Sequence, residues 1–344
     1  MKILVVRFKQ IGDSILASPI CNTLKQTFPD AEIDYVLYEH VAPLFENHKY
    51  INNVVSITKE EQKNPFKYLA KVWKVTRKKY DIVIDIMSTP KSEFFTLFSL
   101  GAKYRIGRKK KWRGYTYNYK ISEPKDAKNK VDKFLRMLKP LEKDYTIKYD
   151  HSFQITVTPE EKLYLRNKMI DAGADFSKPV IACAVNSRVP RKVYPVDYMI
   201  KVIKTLLKDL KDIQIIFYYS PAEKEFAKNV HENLLNNDKR IFSNIETKSI
   251  RELAMLLSNC DLFFGNEGGP RHLAHALNIP SFAIFSPSSS KKEWLPYTSD
   301  KHQGVEPDDI TTNFEGMTDE EIYKVIKPEY VIQKVEELFH KYVK

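Results

Sequence analysis

The pattern of hydrophobic and polar positions in the first half of the chain alternates between two periods. Short apolar runs rich in Val and Ile, such as KILVVRF (residues 2–8) and YDIVIDIM (residues 80–87), are typical of buried parallel strands. Between such runs, stretches such as SILASPICNTLKQTF place apolar residues at helical spacing. This strand–helix alternation predicts a doubly wound parallel sheet.

The second half repeats the pattern. PVIACAV, IQIIFYYS, CDLFFGNEGG and SFAIFSPSS each read as a buried strand that delivers its carboxyl end to a loop, where open α/β sheets bind ligands. A domain boundary is expected in the stretch 150–178, and the final segment, PEYVIQKVEELFHKYV, is predicted to be an amphipathic helix. The sequence therefore predicts two α/β domains.

Composition narrows the class of protein. Hydrophobic residues make up 43% of the 344 residues and charged residues 29%, which is typical of a globular protein. No apolar run reaches the about 20 residues that a membrane-spanning helix needs, and the N-terminus lacks a signal-peptide layout, so we expect a protein that is not exported. Cys21, Cys183 and Cys260 are far apart and are expected to be buried or free thiols, with no disulfide or zinc site.

The basic excess lies entirely in the first half. Residues 1–150 hold 30 Lys and Arg against 17 Asp and Glu, a net charge of +13, whereas residues 151–344 have a net charge of −1. Residues 103–120, KYRIGRKKKWRGYTYNYK, are the most basic stretch and interleave aromatic residues. The positive electrostatic field of such a stretch attracts phosphate groups, nucleic acid or an anionic membrane. Lysine used only for solubility explains the scattered charges equally well.

The Gly12-Asp13 pair follows the first strand at the predicted start of a helix. Asp is a favoured N-cap residue and glycine suits a tight turn, so a structural role is sufficient to explain the pair. Alternatively, Asp13 is a general base at the carboxyl end of a strand, where it would take a proton from a hydroxyl nucleophile. One residue can fill both roles.

Two loops of the second half carry candidate binding residues. In NSRVPRKVYP, a hydroxyl and several cations lie between a strand and a predicted helix, which suits a diphosphate, although a solvated basic loop is an equal alternative. In GNEGGPRHLAHALNIP, Gly268 and Gly269 would let backbone N–H groups approach a phosphate or a sugar. His272 and His275 lack the spacing of a metal motif, so no metal site is expected.

Together these stretches resemble glycosyltransferase family 9, the ADP-heptose:lipopolysaccharide heptosyltransferases. The residues that carry the resemblance are RFKQIGDSILASPI, NSRVPRKVYP and GNEGGPRHLAHALNIPSFAIFSP, in that order. The resemblance implies a GT-B fold, in which two Rossmann-like domains face each other across a cleft. It implies an acceptor domain over 1–160, a nucleotide-sugar domain over 161–328 and a helix over 329–344 that crosses back to the first domain.

Matched by position, the resemblance also implies site residues. Asp13 falls on the catalytic aspartate of the family. The donor would be bound by eight residues, which are Ser187, Arg188, Lys192, Glu223, Glu267, Gly268, Gly269 and His272. The acceptor or a membrane surface would meet the basic residues Arg105, Arg108, Lys109, Lys110, Lys111 and Arg113.

The activity implied by the resemblance is inverting, metal-independent transfer of a heptose from an ADP-sugar to a lipopolysaccharide inner-core acceptor, Kdo or heptose, with no cofactor. A cytoplasmic enzyme, peripheral on the inner face of the inner membrane, is expected. The family usually has Asp at Glu267, a hydroxyl residue at Gly268 and a small or apolar residue at Arg271, so a different nucleotide sugar remains open. A protein that only binds saccharide is a further alternative, and one that binds nucleic acid is not expected, because no nucleic-acid motif is found.

Overall fold

The computed structural model describes residues 1–122, 126–297 and 299–343. The chain divides into two compact units, Met1–Thr156 and Val157–Lys344. The division falls slightly before the boundary predicted after residue 160, because Thr158 caps a helix that begins at Pro159 and belongs whole to the second unit. All three cysteines are buried and free, as predicted.

The first unit is a six-stranded sheet in the order β3-β2-β1-β4-β5-β6, with every neighbouring pair parallel. Its strands are β1 (Lys2–Val6), β2 (Glu32–Tyr38), β3 (Asn53–Ile57), β4 (Ile82–Asp85), β5 (Tyr104–Arg108) and β6 (Tyr119–Ile121). Its α-helices are α1 (Ile11–Ala17), α2 (Pro19–Thr27), α3 (Lys59–Lys63), α4 (Pro65–Thr76), α5 (Pro90–Leu97) and α6 (Lys130–Leu135).

Helices cover both faces of this sheet. Tyr68 and Val72 of α4 and Phe95 of α5 pack with Leu4 and Val6 of β1 in one buried cluster. Because successive strand residues point to opposite faces, Ile3 and Val5 are directed to the other face, where α1 and α2 contact α6. The first unit is therefore doubly wound, as the strand–helix alternation predicts.

The second unit is a six-stranded parallel sheet in the order β12-β11-β10-β7-β8-β9. Its strands are β7 (Val180–Ala184), β8 (Gln214–Phe217), β9 (Ile241–Phe242), β10 (Leu262–Asn266), β11 (Ser281–Ile284) and β12 (His302–Val305). Its α-helices are α7 (Pro159–Asp171), α8 (Val196–Asp209), α9 (Lys224–Asn229), α10 (Ile250–Leu257), α11 (Gly269–Ala276), α12 (Lys291–Trp294), α13 (Asp319–Tyr323) and α14 (Pro328–Tyr342). Short segments of 3₁₀ or π-helix lie at Ala42–Phe45, Arg136–Lys143, Pro190–Lys192, Pro221–Glu223, Val230–Leu234 and Pro307–Asp309.

The C-terminal helix α14 is amphipathic, as predicted. Its residues Val331, Val335 and Leu338 are buried in a cluster that also holds α8 and one face of the second sheet. These contacts of α14 are with the second unit, and its predicted crossing to the first domain stays a prediction. Lys344 lies outside the described residues. No helix in the described ranges has the length and apolar character that a membrane span requires.

Candidate active site

The carboxyl end of β1 in the first unit holds an ion pair. Arg7 follows the strand directly, and its Nη2 donates to Oδ1 of Asp13 in the first turn of α1. The Arg7 side chain is 7% exposed, whereas that of Asp13 is 22% exposed. The carboxylate of Asp13 is therefore held by a buried cation and still reaches solvent.

Arg7 occupies this position because of the strand's alternation. Val6 and Phe8 point into the cluster beneath α4 and α5, so Arg7 points to the opposite face, where its guanidinium lies 4.6 Å from the ring centre of Phe134 on α6. Burial lowers the pKa of Arg7, and the charge of Asp13 opposes that shift. Arg7 was not singled out from the sequence, although it lies in the motif RFKQIGDSILASPI.

Asp13 does not cap its helix, so that part of the prediction is wrong. The chain is extended up to Gln10, which is the N-cap residue and makes no side-chain capping bond, and α1 begins at Ile11. Gly12 is consequently a buried residue inside the helix rather than part of a tight turn. Asp13 is the third helical residue, where an acid is favoured by the helix dipole but is free of a capping role.

The neighbouring strand β4 ends in another carboxyl group, Asp85. Asp85 is fully buried; Tyr117 donates its hydroxyl to Oδ2 at 2.6 Å, and the backbone N–H of Ser88 donates to Oδ1 at 2.9 Å. Burial raises the pKa of Asp85 to about 6. The N–H of Arg108 donates to Ser88 Oγ at 2.7 Å, and the charge of Arg108 also lowers the pKa of Arg7. The predicted residue Arg108 thus lies close to the Arg7–Asp13 pair.

The other residues of the predicted basic patch differ in role. Arg105 donates to the carbonyl oxygens of Leu100, Ala102 and Thr116, at 2.7 to 2.8 Å, so its guanidinium holds the surrounding loops. The remaining four lie on the surface in full or in part, and are Lys109, Lys110, Lys111 and Arg113. An acceptor-binding role for this patch stays a prediction.

In the second unit, two predicted donor residues meet at the carboxyl ends of β7 and β10. Lys192 Nζ donates to Oε2 of Glu267 at 2.7 Å, and Ser289 Oγ donates to the same oxygen at 3.2 Å. The Glu267 side chain is 5% exposed and that of Lys192 is 24% exposed. The ammonium group is thus the accessible member of this pair, and Ser289 is a partner that the sequence did not reveal.

Asn266 and Tyr323 fix the loop that carries Lys192. The side chain of Asn266 accepts from the N–H of Tyr194 at 2.7 Å and donates to the carbonyl oxygen of Ala184 at 2.9 Å, which ties the loop to β7. The Tyr323 hydroxyl donates to the carbonyl oxygen of Lys192 at 3.3 Å. These bonds restrict the backbone, so Lys192 is presented from a rigid support.

Ser187, Arg188 and Glu223 lie at the ends of the adjacent strands β7 and β8. Arg188 is exposed, and its charge lowers the pKa of Tyr218, while burial and the charge of Glu223 raise it. Glu223 accepts from the N–H of Ser220 at 2.8 Å and from its hydroxyl, and both bonds end on Oε2. Two of the predicted residues, Arg188 and Glu223, therefore lie near Tyr218, which sequence reasoning missed.

Gly268 and Gly269 open helix α11. Gly268 is extended, a conformation open to any residue, and a Cβ there would meet nothing closer than Pro270 Cδ at 3.8 Å. The glycine is therefore not required by the backbone at this position. The hydroxyl residue usual in the family would fit.

His272 and Arg271 of helix α11 are both buried. Burial lowers the pKa of His272 well below its usual range, and the charges of Arg271, His275 and Lys192 add to that effect. Arg271 is fully buried, donates to the carbonyl oxygen of Trp294, and has its pKa lowered to about 10 by burial. Burial thus favours the neutral form of His272, and its contact with a donor stays a prediction.

Comparison with known proteins identifies the family. The model of glycosyltransferase family 9 (heptosyltransferase) matches residues 69–321, well over half of the chain. Lipopolysaccharide heptosyltransferase 1 of Campylobacter coli is 25% identical over 98% of this chain and 99% of its own. Lipopolysaccharide heptosyltransferase 3 of Escherichia coli is 23% identical over 85% of each chain.

Solved structures confirm the predicted α/β GT-B fold. The Escherichia coli ADP-heptose lps heptosyltransferase II covers 99% of both chains with a TM-score of 0.80 at 22% identity. A glycosyl transferase of family 9 from Veillonella parvula covers 99% of this chain with a TM-score of 0.79 at 20% identity. An Escherichia coli heptosyltransferase solved with ADP-2-deoxy-2-fluoro heptose has a TM-score of 0.71 at 19% identity. With its fold and the family model in agreement, the chain belongs to glycosyltransferase family 9 and is a glycosyltransferase.

Proposed function

We propose that this enzyme transfers a heptose from ADP-heptose to the inner core of lipopolysaccharide, with inversion and without a metal ion. The observation that carries the proposal is the pair Lys192–Glu267 at the strand ends of a unit that matches family 9. The relatives support the same substrates, since one solved neighbour holds an ADP-heptose analogue and two relatives are named as lipopolysaccharide heptosyltransferases.

Asp13 is the proposed general base. An acceptor hydroxyl gives its proton to the carboxylate while its oxygen forms a bond to the anomeric carbon, and the bond from that carbon to the phosphate oxygen breaks on the opposite side. Arg7 occupies Oδ1 of Asp13, so we assign Oδ2 to the acceptor hydroxyl. A fixed carboxylate stabilises this step because it needs no reorientation during the reaction.

Lys192 is proposed to stabilise the departing ADP. The ammonium group binds Glu267 in the free protein, and an incoming diphosphate would compete with that carboxylate for it. Ser187, Arg188 and the N–H groups at the start of α11 would complete the diphosphate site, because charge that develops on the leaving group is then met by fixed donors. Ser220 donates to Oε2 of Glu223, so we assign Oε1 of Glu223 to a hydroxyl group of the ADP ribose.

Charge supports the proposed acceptor and the proposed location. A lipopolysaccharide inner core carries carboxylates and phosphates, and Arg108, Lys109, Lys110, Lys111 and Arg113 would attract them. An acceptor anchored in a membrane places the enzyme at the cytoplasmic face of that membrane as a peripheral protein.

The donor is tested by thermal shift with ADP-heptose, GDP-sugars and UDP-sugars. We expect ADP-heptose alone to raise the melting temperature, because a ligand that binds only the folded state stabilises it. Lys192→Ala should remove most of that rise, and Lys208→Ala, on the last turn of α8, should leave it unchanged. A rise with UDP-sugars and none with ADP-heptose would overturn the proposed donor; loss of transfer with a chelator would overturn metal independence.

A second candidate is a transferase of the same fold that uses another nucleotide sugar. Glu267 and Gly268 favour it, because a longer carboxylate and a missing hydroxyl change the groups that meet the sugar. Gly268→Ser should fold with a melting temperature close to that of the wild type, since a Cβ has room there. If Gly268→Ser raises turnover with ADP-heptose and lowers it with another donor, that result supports the second candidate. If the donor preference does not change, Gly268 no longer supports it.

A further inference from the structure

Most of the large exposed apolar side chains of the first unit lie on helices α4 and α5 and on the loops that follow α5 and β5. Phe66 is 83% exposed, Trp112 76% and Tyr115 81%, whereas side chains of this size are normally covered. We call this surface the α4–α5 face, and its apolar members are Phe66, Trp73, Leu97, Phe98, Leu100, Trp112 and Tyr115. Exposed apolar side chains clustered in this way indicate a surface that binds a partner.

Helix α4, helix α5 and the loop 109–117 lie on the same side of the first sheet. Helices α4 and α5 contact each other, and both bury their inner residues in the same cluster on one side of the sheet. The loop 109–117 is fastened to α5, since the hydroxyls of Thr116 and Thr96 share a hydrogen bond of 2.6 Å and the N–H of Gly114 donates to Glu93 at 3.3 Å. Their outward sides therefore form one surface.

Helix α4 presents an aromatic stripe with basic residues beside it. Phe66, Ala70, Trp73 and Arg77 are exposed and follow one another at intervals of four, three and four residues, which places them on one helical face. The guanidinium of Arg77 lies 4.7 Å from the ring centre of Trp73. Aromatic rings next to cations are typical of helices that lie at a membrane interface.

The charge around this face is strongly positive. Residues 59–79 hold eight Lys and Arg against two Glu, and residues 108–120 hold six Lys and Arg and no acid. The two acids, Glu60 and Glu61, pair with Lys67 and Lys71. Lys78 pairs with carboxylates of β2, and the segment still has a net excess of cations. The partner of the face is therefore anionic as well as apolar.

We propose that the α4–α5 face docks onto the surface of an anionic phospholipid bilayer. Its aromatic and leucine side chains would enter the headgroup region while the surrounding Lys and Arg meet lipid phosphates. Leu97 and Leu100 favour a bilayer over nucleic acid, because aliphatic side chains cannot stack on bases. The inference rests on the proposed lipid-anchored acceptor and names the surface by which the enzyme meets it.

The test is co-sedimentation with vesicles of phosphatidylglycerol and phosphatidylcholine in equal parts, against vesicles of phosphatidylcholine alone. The wild type should bind the anionic vesicles and lose binding as salt is raised. Phe66→Ser with Trp73→Ser should need about tenfold more lipid, because two large apolar groups no longer enter the interface. The matched control, Leu163→Ser with Tyr164→Ser, removes two exposed side chains from α7 in the second unit and should bind as the wild type does.

Unchanged binding by the Phe66/Trp73 variant, with a wild-type melting temperature, would overturn the proposal. A second result would also overturn it: duplex DNA displaces the protein from the vesicles, and the Phe66/Trp73 variant binds that DNA more weakly than the wild type does. Nucleic acid would then be the partner.

Transfer to a delipidated, soluble core oligosaccharide separates the docking proposal from the proposed function. The variant should keep that activity and lose only transfer to acceptor embedded in vesicles. Vesicle binding without transfer to either acceptor would contradict the proposed function and leave the docking surface standing.

Discussion

At the scale of single residues, the ion pair between Arg7 and Asp13 has two physical consequences. The buried guanidinium fixes one carboxylate oxygen, and the partial exposure of Asp13 leaves the group accessible to a substrate. Replacing a buried member of such a pair also leaves its partner without compensation. Arg7 is thus a positioning residue for the proposed base.

We predict that Arg7→Gln lowers the turnover rate for transfer by about 10- to 100-fold, because Asp13 loses its fixed orientation. Donor binding, measured by thermal shift, should be unchanged, since the proposed donor residues belong to the second unit. Lys9→Gln removes an exposed cation two residues away and serves as the control. Wild-type turnover in Arg7→Gln would show that the pair has no part in the chemistry.

Asp85 predicts a pH dependence of stability. Burial raises its pKa in the folded protein from 3.8 to about 6, so the folded state binds a proton more tightly than the unfolded state. The contribution of this carboxyl group to the free energy of unfolding therefore falls as the pH rises through that window, by on the order of 2 kcal/mol.

Asp85→Asn should lack this dependence. The free energy of unfolding of the variant minus that of the wild type, measured by urea denaturation, should increase by on the order of 2 kcal/mol between about pH 4 and pH 7. Above about pH 7 this difference should stay constant. A difference that does not change with pH would contradict a raised pKa for Asp85 in the folded protein.

Sequence reasoning at this scale identified single residues better than their partners. Asp13, Lys192 and Glu267 lie in recognisable motifs. Of the residues that hold them, Arg7 lies in such a motif but carried no signal of its role, and Ser289 lies outside the motifs. A hydrogen bond such as that from Ser289 to Glu267 depends on how two loops fold together, and no local pattern encodes it. The cap assigned to Asp13 failed because the helix begins at Ile11, before the Gly-Asp pair.

At the scale of the elements, the strand ends assemble the candidate site. β10 lies between β7 and β11, so the carboxyl ends of β7 and β10 are adjacent, and this places Lys192 beside Glu267. The apolar runs predicted these strands because buried parallel strands have continuous hydrophobic sequences. Their order in the sheet was beyond sequence reasoning, because it is set by packing between segments far apart in the chain.

Gly265 shows how closely β10 approaches β7. Its φ is +127°, and a Cβ there would lie 2.6 Å from the carbonyl oxygen of Ala184. We predict that Gly265→Ala lowers the free energy of unfolding by about 2 to 4 kcal/mol, because the strands must separate and the backbone is strained. Gly101→Ala, where a Cβ meets nothing within 4 Å, should change stability little. Chemical denaturation of both variants checks this, and equal stabilities would contradict it.

At the scale of the whole molecule, two doubly wound units differ in charge. The basic first half fits the proposed encounter with an anionic acceptor, and the near-neutral second half fits a site whose cations are few and fixed in place, such as Lys192. The sequence predicted both units and their charges, because hydrophobic periodicity and composition are local properties. The α4–α5 face could not be predicted from the sequence, because it is formed by three segments that are separate in the chain and meet only in the fold.

The most direct test of the central claim is single-turnover transfer from ADP-heptose to a core acceptor by Asp13→Asn. The substitution keeps the shape of the side chain and removes its ability to accept a proton, so transfer should fall by at least about a hundredfold. Stabilisation of the same variant by ADP-heptose should match that of the wild type. Transfer at the wild-type rate would contradict the assignment of Asp13 as the base.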